Sequence, residues 1–224
     1  MSRFESITIR EVESSDLETF YEHQLDPEAI RMAAFVCEDP KDKVAFDAHW
    51  DKILNSSQIT KRTIVAEGQV AGHISCYPHG ENIEVTYWLG REFWGRGLAT
   101  QALNRMLHLV VDRPIFARAA TDNIGSIRVL QKCGFKIIGK NKDFANGRGE
   151  DTEEYILRLD IPIQISVTRR SQCSTPSMAA EAKARRHQSG TEAAVTLRAL
   201  RQETMRKLNY SLPPRAIFRL VFSV

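Results

Sequence analysis

The 224-residue sequence has few cysteines, and none of them is spaced as in a metal-binding or redox motif. Its four cysteines (Cys37, Cys76, Cys133 and Cys173) form no CxxC pair, which argues against a zinc ribbon or a thioredoxin-type site. No apolar run approaches the roughly 18 residues that a membrane-spanning helix requires, and the first residues do not resemble a signal peptide. We therefore expect a cytoplasmic protein with reduced thiols, no metal and no membrane partner.

Acidic residues are scarce in the last quarter of the chain. Residues 161–224 hold 11 of the 31 basic residues but 3 of the 28 acidic ones, a net charge of +8, whereas the remainder carries −5. We expect a folded domain over residues 1–160, followed by a basic extension that is partly helical or disordered. Nucleic acid is not an expected partner of the domain. For the extension, an arm that binds nucleic acid or an acidic partner and a shifted reading frame both stay open.

The most informative stretch joins a strand to a helix through two glycines. Ile83–Leu89 is rich in aromatic and β-branched residues and predicts a strand, and helical spacing of apolar residues predicts a helix from about Gly97 to Val111. The first amides of a helix lack partners within the helix, and Gly95 and Gly97 allow a ligand to approach the backbone closely. This pattern favours a phosphate or pyrophosphate site, with a plain strand-to-helix turn as the alternative.

Strand and helix patterns flank this unit on both sides. They predict an α/β (α+β) fold with a mixed, mostly antiparallel sheet, a central parallel strand pair and helices on both faces. We also expect a turn over Pro78–Asn82 and a polar loop over Lys140–Asp151, which precedes a last strand.

Two motifs indicate a family when they stand in this order with Ile9-Arg10 leading to Asp16 before them and a final apolar strand after them. Glu84-Val85-Thr86-Tyr87-Trp88-Leu89 precedes Phe93-Trp94-Gly95-Arg96-Gly97-Leu98-Ala99-Thr100, and Asn123-Ile124-Gly125-Ser126 opens a second helix that ends before Gly134-Phe135. With these motifs, residues 7–159 resemble the GNAT superfamily of N-acetyltransferases, and within it the branch that acetylates ribosomal-protein N-termini.

The resemblance implies an enzyme that transfers acetyl from acetyl-CoA directly to a primary amine in a ternary complex. The expected acceptor is a protein N-terminus. Two alternatives remain, a small-molecule amine as acceptor and a CoA-binding module without turnover. The chain is expected to be a monomer or a homodimer, and acceptor choice is expected to lie in Asp26–Asp51 and in the loop Lys140–Asp151.

The resemblance also assigns residues to the cofactor. Backbone amides would hold the pyrophosphate, and the pantetheine arm would lie between strands Ile83–Leu89 and Ile115–Thr121. Arg91 and Arg96 are side-chain helpers or ordinary solvated charges, and Trp94 occupies a motif position that is usually Gln or Arg. Asn123 and Ser126 match positions that contact the CoA arm, although helix capping requires the same residue types. The amides belong to Gly95, Arg96, Gly97, Leu98, Ala99 and Thr100.

The catalytic candidates follow from the same comparison. The Leu89 amide, at the end of its strand, would bind the thioester and stabilise the oxyanion. Glu84 is the candidate general base, acting through water, with His73 and His79 as alternatives. Leu130 stands where many relatives place a tyrosine acid. The sequence therefore predicts either no general acid, since a thiol of pKa about 8.5 leaves readily, or weak assistance from Ser126.

Overall fold

The computed structural model describes residues 7–160, which form one seven-stranded sheet with helices on both of its faces. The strands are β1 Ile7–Arg10, β2 Thr60–Ala66, β3 Gln69–His79, β4 Asn82–Leu89, β5 Ile115–Ala120, β6 Lys136–Ala145 and β7 Glu150–Leu159. The helices are α1 Asp16–Gln24, α2 Pro27–Ala33, α3 Lys43–Asn55, α4 Leu98–Leu109 and α5 Ile124–Lys132, with a short 3-10 helix at Arg91–Phe93.

The strand order in the sheet is β1-β2-β3-β4-β5-β7-β6. Neighbouring strands run antiparallel except β4 and β5, which are parallel because α4 carries the chain back across the sheet between them. The predicted fold class, a mostly antiparallel mixed sheet with one central parallel pair, is therefore confirmed.

Alternation along β3 and β4 separates the two faces of the sheet. On one face, which we call the α1–α3 face, His73 and Tyr77 meet Phe20 and Trp50 in a small aromatic core. On the other, the α4–α5 face, strand residues of the main core pack against residues of α4 and α5. The strand residues are Ile74, Cys76, Val85 and Leu89, and the helix residues are Leu103, Met106 and Leu130. Because successive side chains of β4 alternate between these faces, the position of each residue along β4 decides which face it joins.

The beginning of α1 is held to the sheet by a buried carboxylate. Asp16, whose side chain is 2% exposed, accepts two hydrogen bonds of 2.7 Å from the Arg10 guanidinium and one of 2.6 Å from the Thr63 hydroxyl. Burial alone would raise the pKa of Asp16, but the Arg10 and Thr63 bonds and the Glu13 amide outweigh it and lower that pKa. Asp16 is therefore a structural anion that holds the start of α1 to β1 and β2.

The structure differs from the sequence-based expectation in three places. Helix α4 ends at Leu109 rather than Val111, and β3 continues to His79, so that the predicted Pro78–Asn82 turn shrinks to two residues. The polar loop predicted at Lys140–Asp151 was wrong: most of it lies in the β6–β7 hairpin. Cross-strand ion pairs such as Lys140–Glu153 at 3.2 Å support polar strands that apolar periodicity does not reveal.

The predicted basic extension lies outside the described residues. Within residues 7–160, no helix is long and apolar enough to cross a bilayer.

Candidate active site

The parallel strands β4 and β5 separate soon after they meet. Their registered pairs are Ile83 with Ile115 and Glu84 with Phe116. Beyond this point β4 continues along β3 to Leu89, while β5 pairs with β7 as far as Ala120. The result is a gap, between residues 85–89 of β4 and 117–120 of β5, that is closed at Glu84 and open at Leu89.

Backbone groups of β4 face this gap. The Gly90 amide donates to the Ala71 carbonyl of β3 at 3.0 Å. Because successive amides of a strand point to opposite edges, the Leu89 amide faces away from β3 and towards the gap. The Leu89 carbonyl accepts a 3.0 Å bond from the Trp94 indole. The indole N–H is the one hydrogen-bond donor of the Trp94 side chain, and it holds the end of β4.

A bulge in β3 shapes this end of the sheet. Gly72 has φ +151° and lies so close to β4 that a Cβ atom there would stand 1.9 Å from the Trp88 carbonyl oxygen. The register of β2 with β3 shifts at the same place. Only glycine permits this approach of the two backbones.

The N-terminus of α4 lies directly after the open end of β4. Gly95 and Gly97 have φ of 73° and 76°, and a Cβ atom built on either has nothing within 4 Å. Gly97 is the N-cap and caps the helix with no side-chain hydrogen bond. The amides of the first turn therefore border open space, and the helix dipole adds partial positive charge there. This is the geometry that binds a phosphate group.

The two arginines proposed as phosphate helpers have carboxylate partners. Arg91 pairs with Asp26 at 2.9 Å, and Arg96 pairs with Glu67 at 3.0 Å while its guanidinium lies 5.6 Å from the centre of the Phe93 ring. Both pairs are partly exposed, so they are weak and exchange readily. Phosphate binding by these side chains stays a prediction.

Glu84 lies on the α1–α3 face at the closed end of the gap, with its side chain 11% exposed. One carboxylate oxygen accepts a 3.1 Å bond from Arg118 of β5, and the other accepts a 3.2 Å bond from the Tyr77 hydroxyl of β3. Burial raises the pKa of Tyr77, with the adjacent Glu84 charge as a further cause, so this phenol stays protonated and donates. The predicted base therefore has a hydrogen-bond partner on each of its carboxylate oxygens.

The two histidine alternatives differ sharply in their surroundings. His73 is buried with its ring 4.8 Å from that of Phe20 and 5.0 Å from that of Trp50. Burial, with the nearby His23 and His49, lowers the pKa of His73 to about 3, so it remains neutral. His79 is exposed and ends β3 opposite Asn82. The geometry therefore favours Glu84 over either histidine.

Asn123 and Ser126 are both fully buried at the start of α5. The Asn123 side chain accepts from the Ser126 amide at 3.0 Å and donates to the Met32 carbonyl at 3.1 Å, which is the helix-cap role. The Ser126 hydroxyl lies 2.9 Å from the Tyr87 hydroxyl, in a buried pair. A contact of either residue with a CoA arm stays a prediction.

Tyr87 is the polar group that the sequence interpretation missed. It places a tyrosine hydroxyl beside α5, although Leu130 of that helix is apolar and buried. Alternation along β4 already predicts that Tyr87 faces away from Glu84. Its meeting with Ser126 depends on how α5 packs, which no local pattern reveals.

The two segments expected to select the acceptor contact each other. In the β6–β7 turn, the Asn146 amide donates to the Val36 carbonyl at 3.0 Å, and Arg148 donates to the Arg31 carbonyl at 3.0 Å. Arg148 also pairs with Asp122 at 2.8 Å, just before α5. These contacts join the hairpin turn to the end of α2 and to the start of α5.

A parallel strand pair that separates beside a helix N-terminus without a side-chain cap can hold an extended ligand that carries a phosphate group. The family model described as an acetyltransferase (GNAT) domain matches residues 6–136, so the chain belongs to the GNAT family. It is an N-acetyltransferase that uses acetyl-CoA as the acetyl donor. Among residues 7–160, no group of three or more His, Cys, Asp or Glu side chains is arranged to hold a metal.

Several relatives share this architecture at low sequence identity. The chain is 24% identical to the ribosomal-protein-serine acetyltransferase of Escherichia coli K12, over 68% of this chain and 97% of that protein. The spermidine N-acetyltransferase of Vibrio cholerae, solved with CoA and spermine, matches with a TM-score of 0.59 and 17% identity over 69% of this chain and 95% of that one. The ribosomal-protein-alanine N-acetyltransferase of Brucella melitensis gives 0.59 and 19% over 69% and 99%.

Proposed function

We propose that this enzyme acetylates the free α-amino group of a protein or peptide N-terminus by direct attack on the thioester in a ternary complex. The observation that carries the proposal is the gap between β4 and β5, which opens beside the α4 N-terminus. Similarity to ribosomal-protein acetyltransferases from two organisms supports a peptide as the acceptor.

The residues of the site fit acetyl-CoA. The diphosphate would lie on the amides from Gly95 to Thr100, where the two glycines leave the approach open. The pantetheine arm would lie at the open end of the gap, with its thioester beside the Leu89 amide. From Leu89 to Glu84, five residues of extended strand span about 16 Å.

This spacing also separates the two proposed catalytic groups. Glu84 and Leu89 lie at opposite ends of the gap and cannot both touch the same reacting atom. We assign the Leu89 amide to the developing oxyanion, because it faces the gap at the end of β4, where Trp94 holds the Leu89 carbonyl. Glu84 then removes the ammonium proton through a chain of ordered waters, and CoA leaves as a thiolate without a dedicated acid.

The demand on the base is modest. A free N-terminus has a pKa of about 8, so roughly a tenth of it is already neutral at pH 7. One proton of the ammonium passes through water to Glu84, and the neutral nitrogen then forms a bond to the carbonyl carbon. The carbon–sulfur bond breaks as the nitrogen loses its second proton to water. Replacement of Glu84 by Gln should therefore reduce the rate most at low pH, where the amine is largely protonated. Equal rates for the parent and E84Q from pH 6 to 9 would remove Glu84 as the base.

A small cationic amine is the second candidate acceptor. A cleft of about 540 Å³ beside α1 is lined by Glu22, Asp26 and Glu92, and such a site attracts cations. Two of these carboxylates already have partners, since Asp26 pairs with Arg91 at 2.9 Å and Glu92 lies 3.4 Å from His23. Arg91, which also lines the cleft, partly neutralises its acidic charge, whereas burial lowers the pKa of His23 and keeps that ring from doing the same for Glu92. We therefore rank the peptide first.

Release of free thiol from acetyl-CoA tests both candidates. The acceptors would be peptides beginning with Ser or Ala, the same peptides with a blocked N-terminus, and spermidine. We expect thiol release with the free peptides and none with the blocked ones. Release with spermidine alone would support the second candidate. No release with any acceptor would contradict the proposed function.

A further inference from the structure

A row of polar side chains crosses five strands on the α1–α3 face. Tyr77 of β3 donates to Glu84 of β4, and Arg118 of β5 bonds Glu84 at 3.1 Å and Glu154 of β7 at 3.2 Å. Asn141 of β6 donates to the same Glu154 oxygen at 3.0 Å. The row therefore contains one guanidinium between two carboxylates.

The sheet register places this guanidinium at the closed end of the gap. The last registered pair of β4 with β5 is Glu84 with Phe116, and Arg118 lies two residues further along β5 on the same face. To reach Glu84, Arg118 extends across the point where the strands begin to separate. The side chains of Glu84, Arg118 and Glu154 are 11%, 28% and 0% exposed.

Arg118 keeps its charge in this setting. Burial alone would lower the pKa of Arg118, but the charges and hydrogen bonds of Glu84 and Glu154 outweigh it and raise that pKa. One permanent cation thus serves two carboxylates in a region where water screens them little. Each carboxylate reduces the hold of Arg118 on the other.

We propose that Glu154 is a positioning residue for acetyl transfer: by sharing Arg118, it leaves the Glu84 carboxylate able to accept the proton of the acceptor amine. The inference rests on the proposed role of Glu84 as the base. Without Glu154, Arg118 would hold the ionised form of Glu84 and make it a poor base. Without Arg118, two buried carboxylates would face each other and Glu84 would take up a proton too readily.

Two groups near Glu84 keep one protonation state around neutral pH, and the exposed His79 lies two residues beyond Tyr77 on the same face of β3. Tyr77 of β3 stays protonated, since burial raises its pKa, and His73, further along β3, stays neutral. Of α1, His23 lies at the other end of β4, where its backbone carbonyl accepts from Trp88. From α3, His49 lies near His73 rather than Glu84, and burial lowers its pKa.

The test is the pH dependence of kcat at saturating acetyl-CoA and peptide. Two peptides whose N-terminal amines differ in pKa would be used. The acid limb of the kcat profile that has the same pKa with both peptides belongs to a group of the enzyme and not to the amine. We expect E154Q to move this limb to lower pH and R118Q to move it to higher pH, each by about one unit. E154Q should also lower the plateau, since a weaker base accepts the proton less readily.

Asn141→Ala is the matched control, because it removes a neutral member of the same row and leaves all three charges. It should leave the limb in place, whereas a purely structural role of the row would make N141A resemble E154Q. The Kd of acetyl-CoA, from quenching of tryptophan fluorescence, should be unchanged in all three variants.

The outcomes separate the inference from the proposed function. Shifts of E154Q and R118Q in the same direction, or no shift in either, overturn the role of Glu154. If E154Q does not fold, R118Q alone is decisive. An acid limb of its kcat profile that moves to lower pH or stays in place overturns the role of Glu154. An enzyme limb that persists in E84Q removes Glu84 as the base. Absence of thiol release by the parent contradicts the proposed function itself.

Discussion

The charge at the start of α4 offers the sharpest test of the diphosphate site. Thr100 is the third residue of the helix and is half-buried beside the open space in front of Gly97. A Glu at this helix position is favourable to the helix itself by about 0.3–1 kcal/mol, because it complements the dipole. The same charge would repel a bound diphosphate. Replacement of Thr100 by Glu should therefore change stability and affinity in opposite directions.

The size of the binding effect follows from Coulomb's law. Two unit charges about 5 Å apart at an effective dielectric of about 20 repel by roughly 3 kcal/mol. Partial exposure of Thr100 reduces this to about 2 kcal/mol, which is close to 30-fold in Kd. The penalty should fall at about 1 M salt, where the screening length of about 3 Å is shorter than this separation.

Isothermal titration with acetyl-CoA at low and high salt would measure this effect, together with a thermal melt of each variant. Thr100→Gln is the matched control, because it has the same length without the charge. We expect T100E to melt at or above the temperature of T100Q and to bind acetyl-CoA about 30-fold more weakly. Equal Kd values for these two folded variants would refute the diphosphate site at α4.

Three further predictions concern the residues that hold the site together. Replacing Leu89 by Pro removes the amide assigned to the oxyanion and should lower kcat about 100-fold or more with acetyl-CoA still bound. L89A is the control, because it keeps that amide. Similar kcat values for the two variants would exclude the amide from oxyanion stabilisation. Asp16→Asn should lower the free energy of unfolding by about 2 kcal/mol at pH 7. Because the fold lowers the pKa of Asp16, its stabilisation is complete above the unfolded value and is lost as pH falls. The difference between D16N and parent in urea unfolding should therefore shrink below about pH 4, and a constant difference would contradict the Arg10 pairing. Gly72→Ala places a Cβ atom 1.9 Å from the Trp88 carbonyl oxygen and should lower the melting temperature by several degrees, so an unchanged melt would contradict the bulge.

Local patterns were sufficient for much of the fold and for the glycine turn at the start of α4. The strand Ile83–Leu89, the two glycines and the amphipathic helix after them are neighbours in the chain, so their geometry follows from backbone preferences alone. The fold class and the family were predictable for the same reason. The β6–β7 hairpin was not, because its polar strands are stabilised by partners on the opposite strand.

The sequence by itself determined the turn that leads into α4, because a helix start and two left-handed glycines are local features. Tertiary structure alone decided where β4 and β5 separate, which carboxylates share Arg118, and that Tyr87 meets Ser126. These contacts join residues far apart in the chain, some of them more than 30 positions apart. Their partners are set by sheet register and helix packing, and a single sequence records neither.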